Sequence, residues 1–162
     1  MSVSVILTTI LLSLLPISEL RGAIPYAYFN GVPLAAAYGA AVAANALVAP
    51  LVFLFLDTRQ LLFYRIGIYR SIFERTVSRA RRKLEPKVAR FGYIGVMLFV
   101  AIPLPITGAY TGTLGAWILG LNRRKTILAA VGGVVISGLI ISAILLAGKS
   151  SWSLFIKASE PH

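Results

Sequence analysis

VSVILTTILLSLLPISELRGAIPYAYF, residues 3 to 29, is apolar at both ends and polar in the middle. As a helix, the run from Val3 to Ile17 would measure about 22 Å, short of a hydrocarbon core of about 30 Å. A signal peptide has this length, but no basic segment precedes the run. Ser18-Glu19-Leu20-Arg21-Gly22 interrupts it, and apolar character resumes through Phe29. The pattern predicts a helical hairpin that dips into a membrane with its polar tip at depth, broken by Pro16, Gly22 and Pro25.

The composition supports that reading. Of 162 residues 58% are hydrophobic and 13% charged, whereas a soluble domain carries roughly 25% charged residues. A chain this short cannot hide so much apolar surface from water, so lipid must cover it. The charge is lopsided, 16 Lys and Arg against five acids for a net +11. On a soluble protein that excess would suggest nucleic acid. Here the positives lie between apolar segments, where they set topology and meet anionic headgroups, and no nucleic-acid partner is expected. There is no cysteine, and the single histidine is the last residue, His162. Disulfides, thiolate metal sites and Ser-His chemistry lose their parts. The expectation is a protein that is not an enzyme, with no metal and no cofactor.

Working outward, residues 34–56 (LAAAYGAAVAANALVAPLVFLFL) are long enough to span a bilayer, with a kink expected at Pro50. Asn45 sits within that span and needs a partner, an interhelical hydrogen bond before a substrate contact. Residues 57–90 hold ten of the 16 positives around an apolar stripe of Leu62, Ile66, Tyr69, Phe73 and Val77. This predicts an amphipathic helix on the cytoplasmic membrane surface. Residues 91–121 are apolar but broken by Pro103, Pro105, Gly108 and Gly112, with Arg90 before them and Arg123-Arg124-Lys125 after. Basic groups at both ends place both ends in the cytoplasm, which predicts a second hairpin. Residues 126–147 form a second span, with a tail over 148–162.

The halves repeat, 1–56 and 91–147 each being a broken hairpin followed by a span, and Leu15-Pro16-Ile17-Ser18 matches Leu104-Pro105-Ile106-Thr107. Counting crossings sends the second hairpin in from the side opposite the first. The predicted fold is an all-α, multi-pass cell-membrane protein forming one domain over 1–162. It is built as an inverted repeat whose hairpins meet near the midplane, where transporters of this kind hold substrate. The alternative is that these prolines only kink ordinary spans.

Glu19 and Arg21 are the acid and base inside the predicted membrane segments, and ionisable groups at depth mark pathways and proton relays. Two residues apart on a helix, they face different sides. Either the backbone unwinds at Arg21-Gly22 or each meets its own partner. Arg21 is the candidate anion or phosphate ligand, its guanidinium suiting bidentate contacts. Glu19 is the candidate proton carrier. In the second hairpin Pro103 and Pro105 free upstream carbonyls. Gly108 and Gly112 allow close approach of a ligand or, equally, of another helix, and Thr107 and Thr111 add hydroxyls.

Glu19-Leu20-Arg21-Gly22-Ala23-Ile24-Pro25, followed by Pro103-Leu104-Pro105 with Thr107-Gly108-Ala109-Tyr110-Thr111-Gly112, resembles the small multidrug export protein family over nearly the whole chain. More distantly, it resembles the DedA and VTT-domain membrane proteins. That resemblance implies paired re-entrant hairpins and movement of lipids, including polyprenyl-phosphate carriers, with proton coupling. The leading expectation is therefore a flippase or scramblase for an anionic lipid. Arg21, Gly22, Thr107, Gly108, Thr111 and Gly112 would hold the phosphate while Glu19 exchanges a proton. Efflux of small cationic drugs with Glu19 as counter-charge is the second reading. A non-transporting scaffold that binds lipid through 57–90 is the third. A unit this small is compatible with a homodimer.

Overall fold

Proline and glycine decide where the helices stop. The computed structural model describes residues 3–63, 91–104 and 108–159, with side chains over 3–58, 91–104 and 108–148. Helix α1 (Val3–Leu14) ends two residues before Pro16, whose ring supplies no N–H to continue the ladder. After four intervening residues α2 (Glu19–Phe29) begins, and it packs back along α1. Helix α3 (Leu34–Ala46) and α4 (Val48–Phe63) meet at a break at Leu47. Pro50 causes it, because it has no N–H for the Ala46 carbonyl four residues back. Helix α5 (Phe91–Ala101) stops just before Pro103. After α6 (Ala109–Ile118), the long α7 (Arg123–Ser159) closes the chain. No strand occurs among the described residues.

Two helical stretches, Leu34–Thr58 and Arg123–Gly148, are long and apolar enough to cross a membrane. They run in opposite directions, because Asp57 at the end of the first pairs with Arg123 at the start of the second at 3.0 Å. The α5–α6 segment returns to its starting level. Tyr93 near its beginning accepts a hydrogen bond from the Asn122 N–H beyond its end, and Lys125 lies over the Tyr93 ring. In the same way Val5 and Ile6 at the start of α1 pack on Ala27 and Val32 at the end of α2. Both segments are helix pairs with their broken turns at one end.

The two helix pairs keep the same sequence spacing where the chain turns. Leu15 and Leu104, Gly31 and Gly120, and the first residues of α3 and α7, Leu34 and Arg123, are each 89 residues apart. Gly31 (φ 82°) ends α2, with its own N–H bonded to Tyr28 and that of Val32 to Ala27. Gly120 (φ 73°) ends α6, with matching bonds to Trp117 and from Leu121 to Ala116. Each is a glycine C-cap with the double bond pattern that a left-handed residue permits.

Two sequence expectations need correction. Neither Gly22 nor Pro25 breaks a helix, since α2 runs unbroken through both. Burial of Ile24 and Ala27 against the core holds the turn despite the lost N–H at Pro25. Helix α4 continues past Asp57 to Phe63, five residues beyond the apolar stretch that ends at Thr58. The remainder of the predicted amphipathic stretch, 64–90, lies outside the described residues. The tail beyond Gly148 is helical as far as Ser159.

The core is built from small residues. Ala37, Ala41 and Ala44 on α3 are buried, and Gly138 of α7 lies so close to Tyr38 and Val42 that a methyl there would come within 2.8 Å of the Tyr38 ring. Gly133 likewise faces Val100 and the Met97 carbonyl of α5. With no side chain between them, helix backbones approach closely. The buried hydroxyls of α1 turn onto their own helix, Thr9 to Val5 at 2.7 Å and Ser13 to Thr9 at 2.8 Å.

Candidate functional site

The broken turns of the two helix pairs meet inside the molecule. Glu19 opens α2 with φ 45°, the one left-handed non-glycine residue among those described. The region is sterically disfavoured for a side chain like this one and is retained where the surroundings demand it. Here the twist sends the Glu19 carboxylate across to the second pair. There it accepts backbone hydrogen bonds from Ala109 and Tyr110, the first residues of α6. A carboxylate on the free amides of a helix N-terminus is favoured by those donors and by the helix dipole.

Gly108 makes that approach possible. Its φ of 155° suits glycine, and a methyl on it would lie 2.6 Å from the Glu19 carboxyl carbon. Glu19 itself is buried at 7% exposure, so its charge is met by protein groups rather than water.

Arg21 reaches across the same junction, donating from Nη1 to the Leu104 carbonyl at the end of the α5 turn. Its Nη2 is 4.0 Å from Glu19 Oε2, a loose pairing. Of the two arrangements open from sequence, separate partners is the one found, with the backbone distortion at Glu19 instead of at Arg21-Gly22.

Tyr110 makes the reverse crossing. Its hydroxyl donates to the Leu14 carbonyl at the end of α1. Arg21 and Tyr110 are 89 residues apart, so each pair contributes one side chain from the first turn of its second helix. Each of these satisfies a carbonyl that the other pair's turn has freed. Asn45 adds a third tie, from Nδ2 to the Ser13 carbonyl at 2.6 Å, the interhelical bond expected of a buried amide.

The other predicted positions fall as follows. Gly22 lies beneath the Ser18 hydroxyl, which a side chain at 22 would strike. Thr111 bonds back to the Gly108 carbonyl at 3.4 Å. Gly112 faces Val100 and Phe99 of α5, the helix-packing alternative. Pro16 and Pro103 lie at the two turns. Pro105 and Thr107 are outside the described residues. Tyr110 is the residue that the sequence reading missed as a site residue, and its place 89 positions after Arg21 is the signal that would have found it. Among the described residues, no group of acids or histidines could hold a metal.

Two apolar cavities lie beside the helix pairs, and the first reaches the junction at Tyr110. One, of about 750 Å³, lies between α4 and α6 and is lined by Leu51, Leu54, Phe55, Tyr110, Thr111 and Leu114, among others. The second, of about 830 Å³, lies between the α2–α3 turn and α7, against Tyr28, Phe29, Val32, Ile144 and Leu145.

The chain matches the family described as "putative small multi-drug export protein" over residues 19–140, the stretch that holds Glu19, Arg21, the second turn, the whole of the first span and most of the second. No curated protein and no solved structure matches it. The chain belongs to that family.

Proposed function

We propose that this member of the small multidrug export family is a transporter that carries an anionic amphipathic molecule, such as a polyprenyl phosphate, across the cell membrane, with Glu19 exchanging a proton. One observation carries the reading: a buried carboxylate occupies the first-turn amides of α6 with a guanidinium 4.0 Å away. Amides and a guanidinium are the donors that recognise phosphate. With its carboxylate neutralised, Glu19 loses the charge that holds it to the amides. A phosphate headgroup then takes the amides and Arg21, and its departure lets Glu19 return.

In this reading the helix pairs are re-entrant hairpins, and the 89-residue register is an inverted repeat whose axis passes between Glu19 and Gly108. Transporters built this way place substrate between their repeats. The lipid-moving DedA-like kinship implied by the sequence motifs supports the same choice. Residues 57–90 face the cytoplasm by the positive-inside rule. Cysteines introduced singly at Asn30 and Asn122 should then react with an impermeant reagent from the outside and the inside respectively. Labelling of both from one side would refute the topology.

The deciding experiment uses proteoliposomes. Arg21→Ala should abolish transport of a polyprenyl phosphate, and Glu19→Gln should remove its dependence on a proton gradient. Undiminished transport by Arg21→Ala overturns the assignment. A second reading, efflux of lipophilic cations, is supported by the family description and by the buried acid beside an apolar cavity. It predicts the opposite pattern, with Glu19→Gln inactive and Arg21→Ala active.

A further inference from the structure

Glu19 is almost wholly buried, so a ligand that takes its place on the α6 amides needs a way in. Of the two apolar cavities, the one between α4 and α6 reaches the junction. It begins at Thr58, beside the Asp57–Arg123 pair where both spans end, and closes on Tyr110 and Thr111. Leu51 and Thr58 on its wall are about 10 Å apart along the helix, so it runs from the ends of the spans toward their middle. Leu51, Leu54, Phe55 and Leu114 line it and are also exposed, so the groove is open to the side of the molecule. Among the described residues its lining carries no charge. Tyr110 is shared by groove and site. It lines the groove, its N–H holds the Glu19 carboxylate, and its hydroxyl donates to the Leu14 carbonyl. Ala109 holds Glu19 without lining the groove, and Thr111 lines the groove without holding Glu19.

From this geometry we infer that the Glu19–Arg21 site is entered sideways from the bilayer, between α4 and α6, and that Tyr110 is the positioning residue that holds the entrance shut. The inference rests on the transport reading above for why a ligand enters. It adds the side from which the ligand comes and the group that admits it. The class of ligand follows, a molecule already dissolved in the bilayer, because a hydrated ion arriving from water would have to shed its shell along an uncharged wall. The second cavity offers no alternative, since its lining includes no residue of the junction. Opening requires one bond to change. A ring fixed at its hydroxyl is confined to one rotamer, and release from Leu14 frees it to take another.

The test reconstitutes the full chain in phosphatidylcholine vesicles and compares two carboxyl reagents. Dicyclohexylcarbodiimide is apolar and enters lipid, whereas a cationic dimethylaminopropyl carbodiimide stays in water. Each adds a protonated carboxyl across its C=N bond, the proton going to nitrogen, and the adduct rearranges to an N-acylurea that peptide mass mapping locates. The apolar reagent should modify Glu19. The water-borne one should modify the half-exposed Asp57 and not Glu19. Tyr110→Phe should speed modification of Glu19 by the apolar reagent about two- to tenfold, the shift in open population that loss of one hydrogen bond gives. Leu114→Trp, which narrows the groove, should slow it several-fold, and Ile144→Trp, in the other cavity, should not. Asp57 modified at the wild-type rate shows that the span ends of each variant are intact. Modification of Glu19 by the water-borne reagent, none by the apolar one, or equal slowing by the two Trp variants overturns the lateral entrance. A Tyr110→Phe variant with an unchanged rate, or one sped alike with both reagents as general loosening would do, overturns the role of Tyr110. Modification does not require transport, so the expected pattern alongside undiminished transport by Arg21→Ala would refute the transport reading and leave the entrance standing.

Discussion

Among the described residues there are two acid–base pairs, and the one with the better geometry matters less. Asp57 and Arg123 touch at 3.0 Å, but both side chains are about half exposed, at 47% and 49%. Water and salt screen such a pair, and its contribution is typically below about 1 kcal/mol. Arg123 also lies over the Phe53 ring, which joins the ends of the two spans without depending on the acid. Glu19 and Arg21 are farther apart, at 4.0 Å, yet Glu19 is buried, Arg21 is half-buried, and both are tied to backbone groups of the opposite helix pair. What gives the central pair its importance is the cost of leaving a buried charge without its donors. Separation alone therefore ranks the two pairs in the wrong order.

Four substitutions would break or sharpen that contrast. Gly108→Ala should be the most damaging, costing at least about 3 kcal/mol in thermal unfolding in detergent, since it adds backbone strain to a collision with Glu19. In a Glu19→Ala background the cost should fall by more than about 1 kcal/mol. An unchanged cost would show that the Glu19 approach is not what requires glycine. Arg21→Ala should cost about 1.5–3 kcal/mol, the range for a hydrogen bond from a charged donor. The same unfolding measurement gives it, and a loss under the rim-pair figure would erase the distinction between centre and rim.

Tyr110→Phe keeps the ring and loses the bond to the Leu14 carbonyl, for about 0.5–1.5 kcal/mol. If its effect equals that of Arg21→Ala, the two crossings are equivalent in energy as well as in position. The smallest effect is expected for Asp57→Asn, under about 1 kcal/mol and smaller still at high salt. A salt-independent loss larger than that of Arg21→Ala would reverse the comparison.

Much of this site was legible in the sequence because its breaks are local. Pro16 and Pro103 mark the turns, Glu19 and Arg21 stand out in apolar surroundings, and the Leu-Pro-Ile match gives the repeat register. Pro25 misled because propensity is a weak guide when packing competes, and Ile24 and Ala27 are buried firmly enough to carry the helix through it. Gly112 reads in sequence as either ligand contact or packing, and only the position of Val100 separates the two.

The sequence by itself determined an all-helical chain with two apolar stretches of spanning length, a basic middle segment and two proline-broken turns. Composition, run length and proline chemistry act over a few residues and need no knowledge of the rest of the chain. The tertiary structure decided who meets whom: Glu19 on the amides of α6, Arg21 on Leu104 and Tyr110 on Leu14, across separations of 83 residues for the second and 96 for the third. Those partners exist because packing of small residues brings the two turns together. There each turn's unbonded backbone groups are met by side chains from the other half.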